Sequence, residues 1–232
     1  MKMSFDAPLP PYNASDPSAT FLNSSCLDLL MIELVPMAYR IVNEVDAAAL
    51  DDRLPAKAGH DSVKSSSVAS NVRDGGAGTG GGNIVGAGAA RKMDEDEERD
   101  AVFYRLEMLG YRVGQGLVER FSRDRPRFTD TLDVIKFLCK DLWMLVFRKQ
   151  IDNLKTNHRG VYVLTDNSFR PFARMSTEAG GQAVVRAQPF LWFPCGIIRG
   201  ALASMEINAT VQAETSELPG ATFQIKSIVA KP

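Results

Sequence analysis

"CGIIRGALASMEINATVQAE", residues 195–214, changes period halfway along, and that change decides the fold. Residues 195–206 read as a short helix, with Gly196 and Gly200 four apart and therefore on one side of it. From Ile207 the pattern alternates strictly: Ile207, Ala209, Val211 and Ala213 against Asn208, Thr210, Gln212 and Glu214. A period of two describes a strand with one face covered. Pro219-Gly220 then turns the chain, and "ATFQIKSIV" returns beside it. Upstream, "DNLKTNHRGVYVLTDN" (residues 152–167) has the same hairpin form, with its turn at Asn157 to Gly160. Residues 168–195 hold three prolines and the run "PFLWFP", and read as a long ordered loop.

Ahead of the hairpins the period is helical. Leu27, Leu30, Met31, Leu34, Ala38, Ile41 and Val45 recur at intervals of three and four. Leu29, Ile32, Val35 and Met37 occupy much of the remaining circumference. A helix that is apolar nearly all round is covered on more than one side, and surplus apolar surface implies a partner. Leu27, Leu30, Met31, Leu34, Ala38 and Ile41 are therefore the expected partner interface. Ser24 or Ser25 is the expected cap, and Pro36 should bend the helix. A second helix follows "MDEDEERD" and runs to about Ser122, with Val102, Leu106, Leu109, Val113, Leu117 and Phe121 as its expected buried stripe. Gly110, Gly114 and Gly116 lie inside it, each costing ~1 kcal/mol against alanine. Gly110 and Gly114 share a face, so with Gly196 and Gly200 they are the expected positions of close helix packing. A third helix, capped by Thr129, continues to about Gln150 on Leu132, Ile135, Leu138, Leu142, Leu145 and Val146. Three helices, a hairpin, a helix and a second hairpin imply an α+β fold, with helices packed on one face of a small antiparallel sheet.

Two segments have a different character. Residues 1–22, rich in Pro, Ser and Asn, read as a disordered tail, and residues 51–98 as a Gly/Ser-rich disordered insertion between a first helix at 23–50 and the remainder of the domain at 99–232. Gly76-Ala-Gly78-Thr-Gly80-Gly81 matches G-x-G-x-x-G, but neither a strand before it nor a helix after it is present, and no Gly-Lys-Ser/Thr follows. A flexible tether is the reading, not a phosphate loop.

The chain of 232 residues carries a formal charge of −1 and no global field that would recruit nucleic acid. Cys26, Cys139 and Cys195 all have apolar neighbours and read as buried thiols in a reducing compartment. His158, at the expected turn, reads as a solvated histidine. Glu107, Asp133 and Asp141 read as ordinary polar helix positions. No catalytic constellation, cofactor or metal site follows from the residues. "FSRDRPRF" carries Arg123, Arg125 and Arg127 with Arg120 just before it, a candidate contact for phosphate headgroups or an acidic partner.

"LGYRVGQGLVERF", "TDTLDVIKFLCKDLW", "NHRGVYVLTDN" and "FPCGIIRGALASMEINATVQAE" together resemble the small core subunits of the TRAPP complex, in the branch called subunit six, the thirty-three-kilodalton type. The resemblance implies a mixed α/β plait and a non-catalytic structural subunit. It implies an assembly that tethers transport vesicles and exchanges nucleotide on Rab-family GTPases in ER-to-Golgi and Golgi traffic. Implied partners are the acylated TRAPP small subunit, met through helices, other TRAPP subunits, the Rab GTPase indirectly, and a second copy when the chain is alone. The implied location is cytoplasmic, peripheral to Golgi and ER-Golgi transport membranes. The acylated relative carries its fatty chain on a cysteine just before the third helix; Arg125 stands there in this chain, so acylation does not transfer. A second reading is a sensor domain of similar fold, with an acyl or other apolar ligand near Trp143 and Trp192. Deleting residues 55–92 is expected to leave melting temperature and partner binding unchanged, because loop length enters the closure entropy only logarithmically. A thermal melt of the shortened chain, followed by partner capture, checks it.

Overall fold

The computed structural model of the chain describes residues 23–51, 93–123, 125–157, 160–175 and 182–228. The tail at 1–22, the glycine motif at 76–81 and His158 lie outside them.

Helix α1 (Ser24–Asp51) is capped by Asn23, whose side-chain oxygen accepts the Ser25 N–H at 2.8 Å, so neither serine is the cap. Pro36 lies inside the helix. Helix α2 (Glu95–Phe121) begins within the stretch read as insertion. Asp94 accepts the Glu97 N–H, and Glu97 reaches back to the Asp94 N–H, a reciprocal cap that fixes the start. The third helix is capped by Asp130 instead of Thr129, and it is not uniform. It runs as α3 (Thr131–Phe137), a π-helical stretch (Leu138–Leu142) and α4 (Trp143–Phe147). The π turn accommodates one extra residue, which brings Phe137, Leu138, Cys139, Leu142 and Trp143 all into the core while Leu145 and Val146 are half-covered.

Strands β1 (Asn153–Thr156) and β2 (Val161–Asp166) form the first hairpin. Gly160 closes its turn at φ 72°, a conformation L side chains avoid. The described parts of the stretch read as a loop are more regular: a 3₁₀ turn at Arg170–Phe172, then α5 (Gln182–Ala187) leading into a second 3₁₀ turn at Gln188–Leu191. Helix α6 (Trp192–Ser204) starts three residues before Cys195. Strands β3 (Ala209–Glu214) and β4 (Ala221–Ser227) complete an antiparallel sheet in the order β1-β2-β4-β3, so the two hairpins join through β2 and β4. Register pairs Leu164 with Phe223 and Val211 with Ile225. Leu164, Phe223 and Ile225 are fully buried and face the helices. The opposite sheet face carries Gln212, Gln224 and Lys226 to solvent.

The most extensive helix contact is α2 on α6, and glycines make it. A Cβ added at Gly110 or Gly114 would come under 3.0 Å from the carbonyl oxygens of Phe193 or Ile197. One added at Gly196 or Gly200 would meet those of Glu107 or Tyr111 equally closely. Each helix thus lays a glycine pair on the other's backbone. The glycines also set α2's rotation. Its buried face is Val102, Leu106, Glu107, Gly110, Gly114 and Val118, so the expected stripe holds at Val102 and Leu106 and fails beyond them: Leu109 and Leu117 are half-covered, and Val113 and Phe121 are exposed.

Ion pairs fasten the elements to one another. Arg199 donates to Glu107 through both Nε and Nη2, the latter at 2.7 Å, and its guanidinium lies 4.4 Å from the Tyr111 ring centre. Glu107 is thereby a structural partner of α6, not an ordinary surface position. Asp166, fully buried, accepts from Trp143 Nε1 at 2.9 Å, Lys149 Nζ at 2.6 Å and the Ser168 N–H, tying α4 to β2. Burial alone would depress Lys149, but Asp152 and Asp166 outweigh it and hold the ammonium above its usual range. Arg170 donates to both oxygens of Asp28, at 2.7 and 2.9 Å, and docks α1 onto the first 3₁₀ turn.

Gly114→Ala is expected to cost about 3 kcal/mol or more, because backbone on the facing helix cannot step aside as a side chain does. Gly116→Ala, with nothing within 4 Å of its added Cβ, is expected to stabilise by up to about 1 kcal/mol. Denaturant unfolding of the two variants checks the contrast. The Arg170 guanidinium holds the Asp28 carboxyl below its usual value, against burial. A depressed folded-state value gives stability that is present above the ordinary carboxylate range and lost as pH falls through the depressed one. Asp28→Asn should therefore melt below the parent at neutral pH, the gap closing as pH falls below about 4.

Candidate interaction surface

Among the described residues no group of His, Cys, Asp and Glu side chains is arranged to hold a metal ion. Burial pushes the Cys139 thiol up to about 12, and pushes Cys195 higher still. Both are protonated and poorly nucleophilic at neutral pH. Cys195 lies in the first turn of α6, but there burial outweighs what the helix end could do to activate it. Cys26 departs from the expectation: it is exposed near the start of α1. Asp133 accepts from Thr129 Oγ1 and Lys136 Nζ, and Asp141 accepts from Arg125 at 2.5 Å. The two tryptophans do not share a pocket. Trp143 is enclosed by the rings of Phe147, Phe169 and Phe223 in the main core, and Trp192 belongs to a separate cluster with Val102 and Leu106.

What the fold leaves exposed is apolar helix surface. Helix α1 buries Met31, Leu34, Val35, Ala38 and Val42 within the chain. Three of the residues expected at a partner interface, Met31, Leu34 and Ala38, are thus covered by this chain's own core. Leu27 and Ile41 are half-covered. Leu30 is 57% exposed and its neighbour Leu29 62%, with Ile32 also exposed. Charging Leu34 would test folding, whereas Leu30 reports on the outer surface alone. On α2, exposed Val113 and Phe121 alternate with half-covered Leu109 and Leu117 in a single row at helical spacing. This is the downstream part of the stripe read from sequence. Phe103 and Tyr104 are exposed nearer the start of the same helix. Soluble chains rarely leave contiguous apolar rows without a use for them.

The four arginines beyond that row line two clefts. Arg120 and Arg123, with Gly116, Glu119 and Phe121, line one of about 470 Å³. Arg123 is shared with a larger groove of about 820 Å³ whose walls include Arg125 and Arg127. Arg125 is held between Asp141 and the Phe137 ring, whose centre is 4.8 Å from the guanidinium carbon. No helix among the described residues is long and apolar enough to cross a membrane.

Sequence comparison gives these surfaces a family. A model of the transport protein particle (TRAPP) component family matches residues 27–228. The chain is 52% identical over 130 residues to trafficking protein particle complex subunit 6b of Danio rerio, a match covering 56% of this chain and 82% of that protein. It is 48% identical over 144 residues to subunit 6B of Homo sapiens, covering 62% and 90%. Against subunit 6A of Homo sapiens it is 50% identical over 120 residues, covering 52% and 74%. With a family match running from the first turn of α1 to the end of β4, the chain belongs to the TRAPP component family, in its subunit-six branch.

Proposed function

We propose that the chain is a non-catalytic structural subunit of a vesicle-tethering TRAPP complex. In this reading the assembly, not the chain alone, is the guanine nucleotide exchange factor for Rab-family GTPases in ER-to-Golgi and Golgi traffic. The chain acts on the cytoplasmic side, peripheral to those membranes, and reaches them through its complex. Its first partner is the acylated TRAPP small subunit; without that partner it pairs with a second copy.

The observation that supports this is the exposed apolar surface of α1 and α2, with Leu29, Leu30 and Ile32 on one helix and Val113 and Phe121 on the other. Paired helices from a relative would cover such rows, and burial at roughly 25 cal/mol per Å² is the available driving force.

The test is co-expression with the acylated small subunit, read by light scattering. Leu30→Glu combined with Val113→Glu is expected to weaken pairing about thirtyfold or more, because a charge in a dry interface centre has no partner. Both positions are exposed, so the chain's own fold should persist by circular dichroism. A complex of unchanged mass and affinity would sink the proposal.

A further inference from the structure

The two edges of the sheet are not alike. Strand β1 has 4 residues, and Lys155 stands exposed within it. Short length and an edge lysine are usual guards against another chain adding itself as a strand. Strand β3 has neither guard: it has 6 residues, holds no lysine or proline, and pairs with β4 one to one without a bulge. Ile228 donates its N–H to Asn208 O, so Asn208, Thr210, Gln212 and Glu214 turn their backbone groups to β4. Ala209, Val211 and Ala213 therefore turn theirs to the open edge. Among the described residues the one partner there is Gln188, whose Nε2 donates to Ala213 O at 3.0 Å. The side chains of these same residues pack toward the helices but are half-covered, whereas Phe223 and Ile225, opposite Ala213 and Val211 on β4, are fully buried. The core layer thus runs out to the edge and stops there uncovered. We infer that β3 pairs antiparallel with β3 of a second copy of this chain, about a two-fold axis at Val211, joining two sheets into one.

Self-complementarity selects that occupant. Ala-Thr-Val-Gln-Ala, residues 209–213, runs small, polar, branched, polar, small in either direction. A two-fold interface requires this, because each patch meets itself. In the centred register Val211 exchanges N–H and C=O with Val211 of the second copy, and Ala209 does so with Ala213. The Ala213 oxygen keeps a second lone pair beside the one that Gln188 uses. On the inner side Val211 meets Val211 and Ala209 meets Ala213, so the apolar row continues across the axis. On the outer side Thr210 stands opposite Gln212, a neutral pair. Glu214 falls opposite Asn208, and the two Glu214 carboxylates lie about 20 Å apart, beyond the screening length. Residues 209–213 carry no charge by which a foreign strand of particular sequence would be selected.

This contact uses neither α1 nor α2, so a chain joined through β3 still presents its helical surface, and two helix-paired complexes become linked. A single strand pair is smaller than a standard interface, so the contact is weak and reversible. Sedimentation velocity of the full-length chain carrying Leu30→Glu/Val113→Glu reads it apart from helix pairing. That chain is expected to dimerise with a Kd on the order of 100 μM. Adding Thr210→Lys/Gln212→Lys sets like charges opposite each other on both sides of the axis and should weaken the dimer about tenfold. Adding Thr210→Lys/Gln212→Glu instead sets opposite charges there and should restore it fully. Both positions are exposed, so melting temperature should match the parent in both variants. The register is read separately, with exposed Cys26 replaced by serine. A Thr210→Cys chain mixed with a Gln212→Cys chain should give mainly the mixed disulfide under mild oxidation, located by mass spectrometry; this holds whether or not the helices pair. A chain that stays monomeric to about 1 mM, equal association of the two charge variants, or no excess of the mixed disulfide would overturn the inference. So would a monomer that captures extended peptides at β3 from a display library, since the edge would then serve another protein.

Discussion

Backbone lying directly on backbone between α2 and α6 is the constraint from which the rest of the molecule follows. Gly110 and Gly114 on one helix, Gly196 and Gly200 on the other, leave no room for even a methyl group. At that separation neither helix can rotate, because any other face would bring side chains between them. The rotation of α2 is therefore set by its smallest residues, and its larger apolar residues go where the glycines send them. Val102 and Leu106 turn toward α1 and Trp192, while Val113 and Phe121 turn outward. One close contact thus determines both what this chain buries and what it leaves exposed.

Among the described residues three buried polar side chains divide the remaining work. Glu107 receives Arg199 where α2 meets α6, Asp166 receives Trp143 and Lys149 where α4 meets β2, and Thr215 donates to Gly220 O where β3 turns into β4. Each sits at a junction between elements, and none lies in the middle of an apolar layer. No buried side-chain nitrogen or oxygen among the described residues lacks a hydrogen-bond partner. A buried polar group with its partners in place is specific about geometry even where its net stabilisation is small. These three residues therefore fix the angles between elements that apolar packing alone would leave looser.

The strands were legible because a period of two survives in a sheet covered on one side, and Ala209, Val211 and Ala213 keep it without a break. The glycine pairs were legible because spacing alone puts them on one face. The facing of α2 was not, because hydrophobicity assigns the core to large side chains and here glycines occupy part of it. Asp166 could not be singled out, since its partners Trp143 and Lys149 are distant in sequence and only the fold assembles them. The interface positions on α1 were read from periodicity that cannot distinguish a chain's own core from a neighbour's. Met31, Leu34 and Ala38 belong to the chain's own core, whereas Leu30 stays exposed. The short helices at 170–191 were hidden by their prolines, Pro171 and Pro189, which occupy early positions of 3₁₀ turns where a missing N–H costs nothing.

The π-helical stretch Leu138–Leu142 has a consequence of its own. It stores one surplus residue in the middle of a helix. The surplus is confined to one wide turn, so the helical segments on either side of it keep a common phase and Trp143 reaches the Asp166 carboxylate. In a uniform α-helix, losing one residue would rotate everything downstream by about 100°. Here a residue lost from the wide turn would let it wind as ordinary α-helix and leave the indole facing its carboxylate, so this helix carries a one-residue tolerance at the point where its two halves meet.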